Sequence, residues 1–96
     1  MNYSVAWSDA ALADVRGVFE YVHDLAGAAS AKKLAEELLA STKFLTEYPR
    51  MYQVFPGSIE HARHIVVRSS WRVLYQVDDT ARCCTVLAVV HTSRRP

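Results

Sequence analysis

The chain has 96 residues, of which 51% are hydrophobic and 22% are charged, and its formal net charge is +1. This composition predicts a single compact domain over residues 1–96 and excludes a disordered tail or a collagen-like repeat. The longest uncharged apolar stretch, residues 83–90, is far shorter than the ~20 residues that cross a bilayer, and the N-terminus lacks the features of a signal peptide. We therefore expect a cytoplasmic protein with no membrane partner.

The charge is distributed unevenly along the chain. Residues 1–48 contain four basic and seven acidic residues, whereas residues 49–96 contain seven basic and three acidic residues, and every one of those seven bases is arginine. Arginine suits bidentate contact with phosphate or carboxylate groups. The second half is therefore suited to nucleic acid or an acidic protein segment, although a solvated sheet surface is the simpler interpretation of the charge alone.

The first half predicts a strand and two helices. Residues 3–7 alternate with a period of two, as in a short strand, and Ser8 is placed to cap the helix that follows. Apolar residues then recur at three- and four-residue spacing as far as Gly27, which is suited to end the first helix. A second apolar stripe, which includes Leu45 and Tyr48 on the face expected to be buried, predicts a helix that continues to Pro49. The short connection predicts that the two helices form an antiparallel hairpin.

The second half predicts three strands after a loop over residues 49–61. The runs 62–68, 71–77 and 83–92 are rich in β-forming residues, and their short connections predict an antiparallel meander. The last run lacks polar alternation over residues 86–90, which predicts an inner strand covered on both faces. The expected fold is α+β, with a helical hairpin on one face of an antiparallel sheet.

The cysteines and histidines do not predict a metal site. Cys83 and Cys84 are adjacent and point to opposite faces of a strand, so we expect two small buried thiols in a reducing compartment, too few for a zinc thiolate site. His61 and His64 lie three residues apart, which also places them on opposite faces of a strand. No glycine-rich phosphate loop follows a strand, and we predict no cofactor.

Four residues on the three predicted strands and the tail suggest a site, namely Arg63, Arg72, His91 and Arg94. If they converge on one sheet face or edge, the arginines could hold a phosphodiester and His91 could transfer a proton. Metal-free RNA cleavage by a ribose 2′-hydroxyl needs groups of these kinds. In the simpler interpretation, His91 only ends the core strand and the arginines pair with nearby carboxylates. Those carboxylates are Glu60, Asp78 and Asp79.

Six segments, taken in order and spacing, resemble the RelE/ParE superfamily of bacterial toxins from type II toxin–antitoxin modules. They are the strand that ends in Trp7, the helical segment 10–22, the Leu-then-Pro ending 45–49, and the runs 63–67, 71–77 and 86–94. The family fold packs two helices on a small antiparallel sheet. The resemblance implies a toxin that arrests growth when free and forms a hetero-oligomer with a cognate antitoxin, which neutralises it.

The superfamily contains two biochemical classes. RelE-like members cut messenger RNA in the ribosomal A site. For that class the resemblance implies roles for His91 and Arg63, and together with Arg72 from the predicted strands these are the expected catalytic residues. Thr92, however, stands where a tyrosine can follow such a histidine, and residues 51–55 lack the lysines or glutamate that nucleases place there. ParE-like members poison DNA gyrase without those residues.

The ending of the chain favours the ParE-like class. His91-Thr92-Ser93-Arg94 is similar to the His-x-x-Arg ending that is common among ParE-like chains, where it implies no catalytic role. We therefore expect a gyrase poison, with a ribosome-dependent endoribonuclease or a degenerate toxin-fold binding protein as the alternatives. An acidic, apolar-studded antitoxin segment would bind the arginine-rich half, and the predicted contacts are Arg68, Arg82 and Arg94.

Overall fold

The computed structural model describes residues 2–58 and 61–93. Its elements follow the predicted order: β1 (Ser4–Trp7), α1 (Asp9–Ala26), α2 (Ala28–Ala40), a 3₁₀ helix (Lys43–Thr46), β2 (Arg63–Val67), β3 (Trp71–Asp78) and β4 (Cys83–His91). The two helices pack on each other and on one face of the sheet, which confirms the predicted α+β fold. None of the described helices is both long and apolar enough to cross a membrane.

Both ends of α1 form as the sequence predicts. The Ser8 hydroxyl accepts a hydrogen bond from the Ala11 amide at 3.0 Å, which satisfies one of the free amides of the first turn. The helix ends at Gly27, whose φ of 91° is a conformation that residues with a Cβ rarely adopt. Gly27 is also the only residue between α1 and α2, so the helical hairpin is as tight as expected.

The second helix ends earlier than predicted. α2 stops at Ala40 rather than at Pro49, and the chain then tightens into the 3₁₀ helix. The Ser41 hydroxyl donates to the Leu38 carbonyl at 2.6 Å, and this side-chain bond competes with regular helical hydrogen bonding. Leu45 is nevertheless fully buried, as the stripe predicts, whereas Tyr48 is 59% exposed, so its predicted place on the buried face is wrong.

The sheet is mixed rather than wholly antiparallel. Its strand order is β1-β4-β3-β2, in which β2, β3 and β4 form the predicted antiparallel meander and β1 runs parallel to β4. Short loops fix the relative directions of the last three strands. β1 has no such loop to any strand, because the whole helical hairpin separates it from the rest of the sheet.

β4 is an inner strand, as predicted, but only one of its faces is fully covered. Cys84, Val86 and Val89 are buried against the helices, whereas Ala88 and Val90 on the other face are half-buried. The prediction that both faces are covered is therefore wrong. The core lies between the helices and the sheet and is built from Ala11, Val15, Val18, Leu34, Leu38, Leu45, Ile65, Val73, Tyr75, Cys84, Val86 and Val89.

Candidate functional site

Arg63, the predicted phosphate-binding arginine, begins β2 and turns its guanidinium toward the preceding loop. Its Nη1 donates to the carbonyl oxygen of Tyr52 at 2.7 Å and approaches that of Arg50 at 3.4 Å. The same loop continues the sheet edge through a bridge between Val54 and Arg63. Arg63 therefore holds the loop against the sheet, with part of its donor capacity already used.

Arg72 lies on the opposite sheet face, packed between two rings. Its guanidinium carbon is 4.6 Å from the centre of the Phe55 ring, and its Nη1 is 3.4 Å from Nδ1 of His64. Burial, and secondly the charge of Arg72, lower the pKa of His64, which favours the neutral form of this imidazole. Nε of Arg72 is buried and has no hydrogen-bond partner among the described residues.

His91 ends β4 on the face that the helices cover. Its ring meets Trp71 edge-to-face, with the centroids 5.0 Å apart and the planes at 85°. Nδ1 accepts a hydrogen bond from the Ser93 amide at 3.1 Å and lies 2.7 Å from the Ser93 hydroxyl oxygen. A neutral His91 in this arrangement carries its proton on Nε2.

The sheet register separates these three residues. Arg63 pairs with Tyr75 and His91 pairs with Trp71, four residues away along β3. At about 3.3 Å per residue and about 4.8 Å per strand spacing, the Cα atoms of Arg63 and His91 lie about 16 Å apart. Arg72 points to the other face, because side chains alternate along β3. The expected convergence on one face or edge is therefore wrong, and the catalytic roles stay a prediction.

The predicted partner-binding arginines Arg68 and Arg82 lie in the two turns of the meander. Both adopt positive φ, 54° and 50° respectively, which is uncommon for residues with a side chain. Nε and Nη2 of Arg68 donate to the Glu37 carboxylate of α2 at 2.6 and 2.9 Å. This pairing lowers the pKa of Glu37 and means that Arg68 already has a carboxylate partner within the domain, while its role in binding a partner stays a prediction. Arg94 lies outside the described residues.

Asp79, in the turn between β3 and β4, joins three segments of the chain. Its two carboxylate oxygens accept hydrogen bonds from the Arg50 guanidinium and the Tyr3 hydroxyl, each at 2.7 Å. These bonds, the one from Arg50 above all, lower the pKa of Asp79. Asp79 thus pairs with an arginine, as the simpler interpretation expects, but the arginine is not one of the predicted site residues. The pair is solvent-exposed and contributes little to stability.

An open cavity of about 650 Å³ lies at this end of the sheet. Two arginines, Arg50 and Arg63, and two aspartates, Asp78 and Asp79, line it together with His61. The opposite charges balance, so the cavity lacks the excess positive charge that concentrates phosphate groups.

The described residues offer no metal site. Within residues 2–58 and 61–93, no group of three or more His, Cys, Asp or Glu side chains could hold a metal ion. His61 lies before β2 with a φ of 54°, in the predicted loop, so it does not share a strand with His64. The two thiols are free; Cys84 is buried, as expected, and Cys83 is only half-buried.

A second groove, of about 550 Å³, lies between α1 and β4, and the sequence did not lead us to it. Asp14 and Gly17 line its helical side, and Trp71 and His91 line its sheet side. The Asp14 carboxylate on α1 accepts a hydrogen bond from the Val89 amide of β4 at 2.9 Å. Two features of the sequence could have indicated this groove. Asp14 is a carboxylate between two apolar residues of α1, and Gly17 is a poor helix former in the middle of that helix.

A protein-family model matches most of the chain. The model described as the ParE toxin of the type II toxin–antitoxin system parDE matches residues 5–96. No curated protein gives a significant match to the sequence.

Several solved structures share the fold. A chain of the chromosomal ParDE toxin–antitoxin system from P. aeruginosa superimposes with a TM-score of 0.80 at 17% identity, covering 93% of this chain and 95% of that chain. For the RelBE2 toxin–antitoxin complex from Mycobacterium tuberculosis the TM-score is 0.69 at 17% identity, with 95% and 99% covered. For the intact E. coli RelBE toxin–antitoxin complex it is 0.56 at 27% identity, with 96% and 99% covered.

Proposed function

Because this chain belongs to the ParE toxin family of type II toxin–antitoxin systems, we propose that it arrests bacterial growth by poisoning DNA gyrase. The chain is a toxin of the ParE/RelE family, and the gyrase target is the part that we propose. The His-x-x-Arg ending, which resembles that of ParE-like chains, supports the same class.

One observation carries the choice of gyrase over messenger RNA. Acid–base cleavage of RNA requires phosphate-binding and proton-transferring groups within hydrogen-bond reach of one phosphodiester. The register instead places the Cα atoms of Arg63 and His91 about 16 Å apart, at about 3.3 Å per residue and about 4.8 Å between strands. Arg72 lies on the opposite face of the sheet. The balanced charge of the cavity beside Arg63 agrees with a toxin that acts by binding.

A cognate antitoxin is the proposed first partner, because the similar solved structures include toxin–antitoxin complexes. Expression of this chain alone should arrest growth, and co-expression of the antitoxin encoded beside it should restore growth. Harmless accumulation of folded protein would count against an active toxin and would favour a degenerate member that only binds.

The target is tested with purified components and a matched pair of variants. Wild-type protein should inhibit gyrase supercoiling and trap cleaved DNA, and a message in ribosomes should stay intact. His91→Ala should keep its toxicity, as should His23→Ala, whose exposed histidine on α1 serves as the control. If the protein is instead a nuclease, His91→Ala should slow cleavage of the message by about 10²–10⁴-fold while His23→Ala does not. That result would replace gyrase by the ribosome as the target.

Charge complementarity predicts how the antitoxin associates. We propose that carboxylates of an acidic segment meet Arg68, Arg82 and Arg94, which would raise the association rate more than the lifetime of the complex. Arg68→Ala and Arg82→Ala should slow association and flatten its salt dependence, whereas Lys32→Ala on α2 should not. Association of the wild type that is independent of salt would refute this arrangement.

A further inference from the structure

One aromatic ring of the loop before β2 packs on the sheet face that points away from the helices. The ring centroid of Phe55 is 5.1 Å from that of His64 and 4.6 Å from the guanidinium carbon of Arg72. Leu74 pairs with His64 and follows Arg72 by two residues, so these three side chains share that face. Leu74 is only 7% exposed, so this corner of the sheet is well covered. We call Phe55, His64 and Arg72 together the Phe55 clamp.

The backbone of the loop is attached to the sheet by an isolated bridge rather than by a strand. The Phe55 amide donates to the Ala62 carbonyl oxygen at 2.8 Å, and the His64 amide donates to the Gln53 carbonyl oxygen at 3.1 Å. Both hydrogen bonds lie at the edge of the sheet, where segments open more readily than in the core. We therefore expect the side-chain contacts of the Phe55 clamp to decide whether residues 53–55 stay in place.

Protonation of His64 is incompatible with the contact that it makes with Arg72. Nη1 of Arg72 lies 3.4 Å from Nδ1 of His64, and because a guanidinium nitrogen can only donate, this contact requires Nδ1 without a proton. A proton on Nδ1 would set two N–H groups and two positive charges against each other. Nε of Arg72 is buried without a partner among the described residues, so it offers no compensating hydrogen bond. A charged His64 therefore destabilises the closed Phe55 clamp.

The surroundings of His64 do not offset this repulsion. Burial and, secondly, the charge of Arg72 lower the pKa of His64, and Arg72 is the charged group among the described residues that shifts it. The other ionisable side chains of the loop are Arg50, which binds Asp79, Tyr52, which meets Tyr75 edge-on, His61, which lines the cavity at the end of the sheet, and Glu60, which lies outside the described residues.

We propose that the Phe55 clamp opens when His64 gains a proton, which releases residues 53–55 from the sheet. The loop is the part that moves, because Arg72 lies on β3, which has a strand on each side, whereas the loop is attached at the sheet edge. Val54 forms part of the wall of the 650 Å³ cavity, so release of the loop widens that cavity. The proposal is independent of the gyrase target and of the antitoxin.

Proton linkage sets the size of the effect. The open loop should return His64 to its ordinary pKa of 6.5, whereas the closed Phe55 clamp lowers that pKa. The open form therefore binds a proton more readily, and the closed form loses stability relative to it as the pH falls below 6.5. Between pH 7 and pH 5 the ratio of open to closed loop should rise, with an upper limit of about 25-fold.

Amide hydrogen exchange of the full chain, followed by NMR between pH 7 and pH 5, tests the proposal. The exchange rates of the Phe55 and His64 amides, divided by their intrinsic rates at each pH, report opening of the loop, and amides of α1 report unfolding of the whole domain. The wild-type ratio should rise as the pH falls. His64→Gln should show no such rise, because glutamine gains no charge. His23→Gln, at an exposed histidine of α1, is the matched control and should behave as the wild type does.

Two further variants separate charge from packing. Arg72→Met keeps an apolar side chain beside Phe55 but removes the charge, so the rise between pH 7 and pH 5 should become smaller. The pKa of His64, followed by its ring-proton shifts, should lie below 6.5 in the wild type and closer to 6.5 in Arg72→Met. Phe55→Ala, which removes the ring, should raise the exchange ratio already at pH 7.

Each contrary result overturns a defined part of the proposal. A wild-type exchange ratio that does not change with pH would refute opening of the loop by acid. An equal rise in His64→Gln would assign the response to another group, and an undiminished rise in Arg72→Met would exclude charge repulsion as its cause. A wild-type ratio in Phe55→Ala would show that the ring does not hold the loop. A rise of the same size in the amides of α1 would mean that acid unfolds the whole domain instead.

Discussion

Tyr75 ties the loop after α2 to the sheet, and Tyr75→Phe tests that role. The side chain is fully buried, and its hydroxyl donates to the Pro49 carbonyl oxygen at 2.8 Å. Phenylalanine keeps the ring, including its edge-on contact with Tyr52, but leaves the carbonyl without this partner. At pH 7 the free energy of unfolding should therefore fall by about 1–2 kcal/mol. For a domain of this size, the Tm should fall by about 4–8 °C for each kcal/mol.

The same substitution should change how stability depends on pH. Burial raises the pKa of Tyr75 from 10.0 to about 12. The unfolded chain ionises first, so this group stabilises the fold fully below pH 10, and its contribution is lost as the pH rises through about 12. Two pH units at about 1.36 kcal/mol each set an upper limit of about 2.7 kcal/mol on this loss. Because phenylalanine does not ionise, the stability curves of wild type and variant should converge and then cross between pH 10 and pH 12.

The assay is urea unfolding of both proteins at several pH values from 7 to 12, followed by tryptophan fluorescence. The difference between the two curves cancels ionisations that both proteins share, such as that of the Cys84 thiol, whose pKa burial also raises. Equal stabilities at pH 7 would refute the hydrogen bond to Pro49. A constant difference from pH 7 to pH 12 would show that folding does not shift the ionisation of the Tyr75 hydroxyl.

Three further predictions follow from burial and hydrogen bonding. Leu38→Ala, at a fully buried position, should lower the free energy of unfolding by about 2–5 kcal/mol in urea titrations, whereas Leu39→Ala, at a 44% exposed position, should cost much less. Asp14→Ala should cost about 1–3 kcal/mol in the same titrations, because it leaves a β4 amide without its acceptor. In the native protein Cys83 should react with a thiol reagent before Cys84, and Cys83→Ser should stay unreactive until denaturant is added.

The features that the sequence predicted correctly depend on local chemistry. Ser8 and Gly27 act through hydrogen bonds and dihedral angles of their own neighbourhood, so their roles do not depend on tertiary packing. The end of α2 was missed for the opposite reason. The apolar spacing continues to Leu45 because the 3₁₀ helix still directs that side chain into the core, so spacing alone does not reveal where the α-helical hydrogen bonds stop.

The arrangement of the predicted site depends on two irregularities of one residue each. A two-residue turn at 69–70 and an unbroken ladder between β3 and β4 would place Arg63, Arg72 and His91 on one face of the sheet. The actual turn spans three residues, because Val67 pairs with Trp71, and this moves Arg63 to the face opposite Arg72. A one-residue register shift in the β3–β4 ladder, between Leu74 and Tyr75, then moves His91 to the face opposite Arg72 as well. Neither irregularity has a glycine or proline to mark it in the sequence, so residue spacing alone predicts a convergent site that the folded register separates.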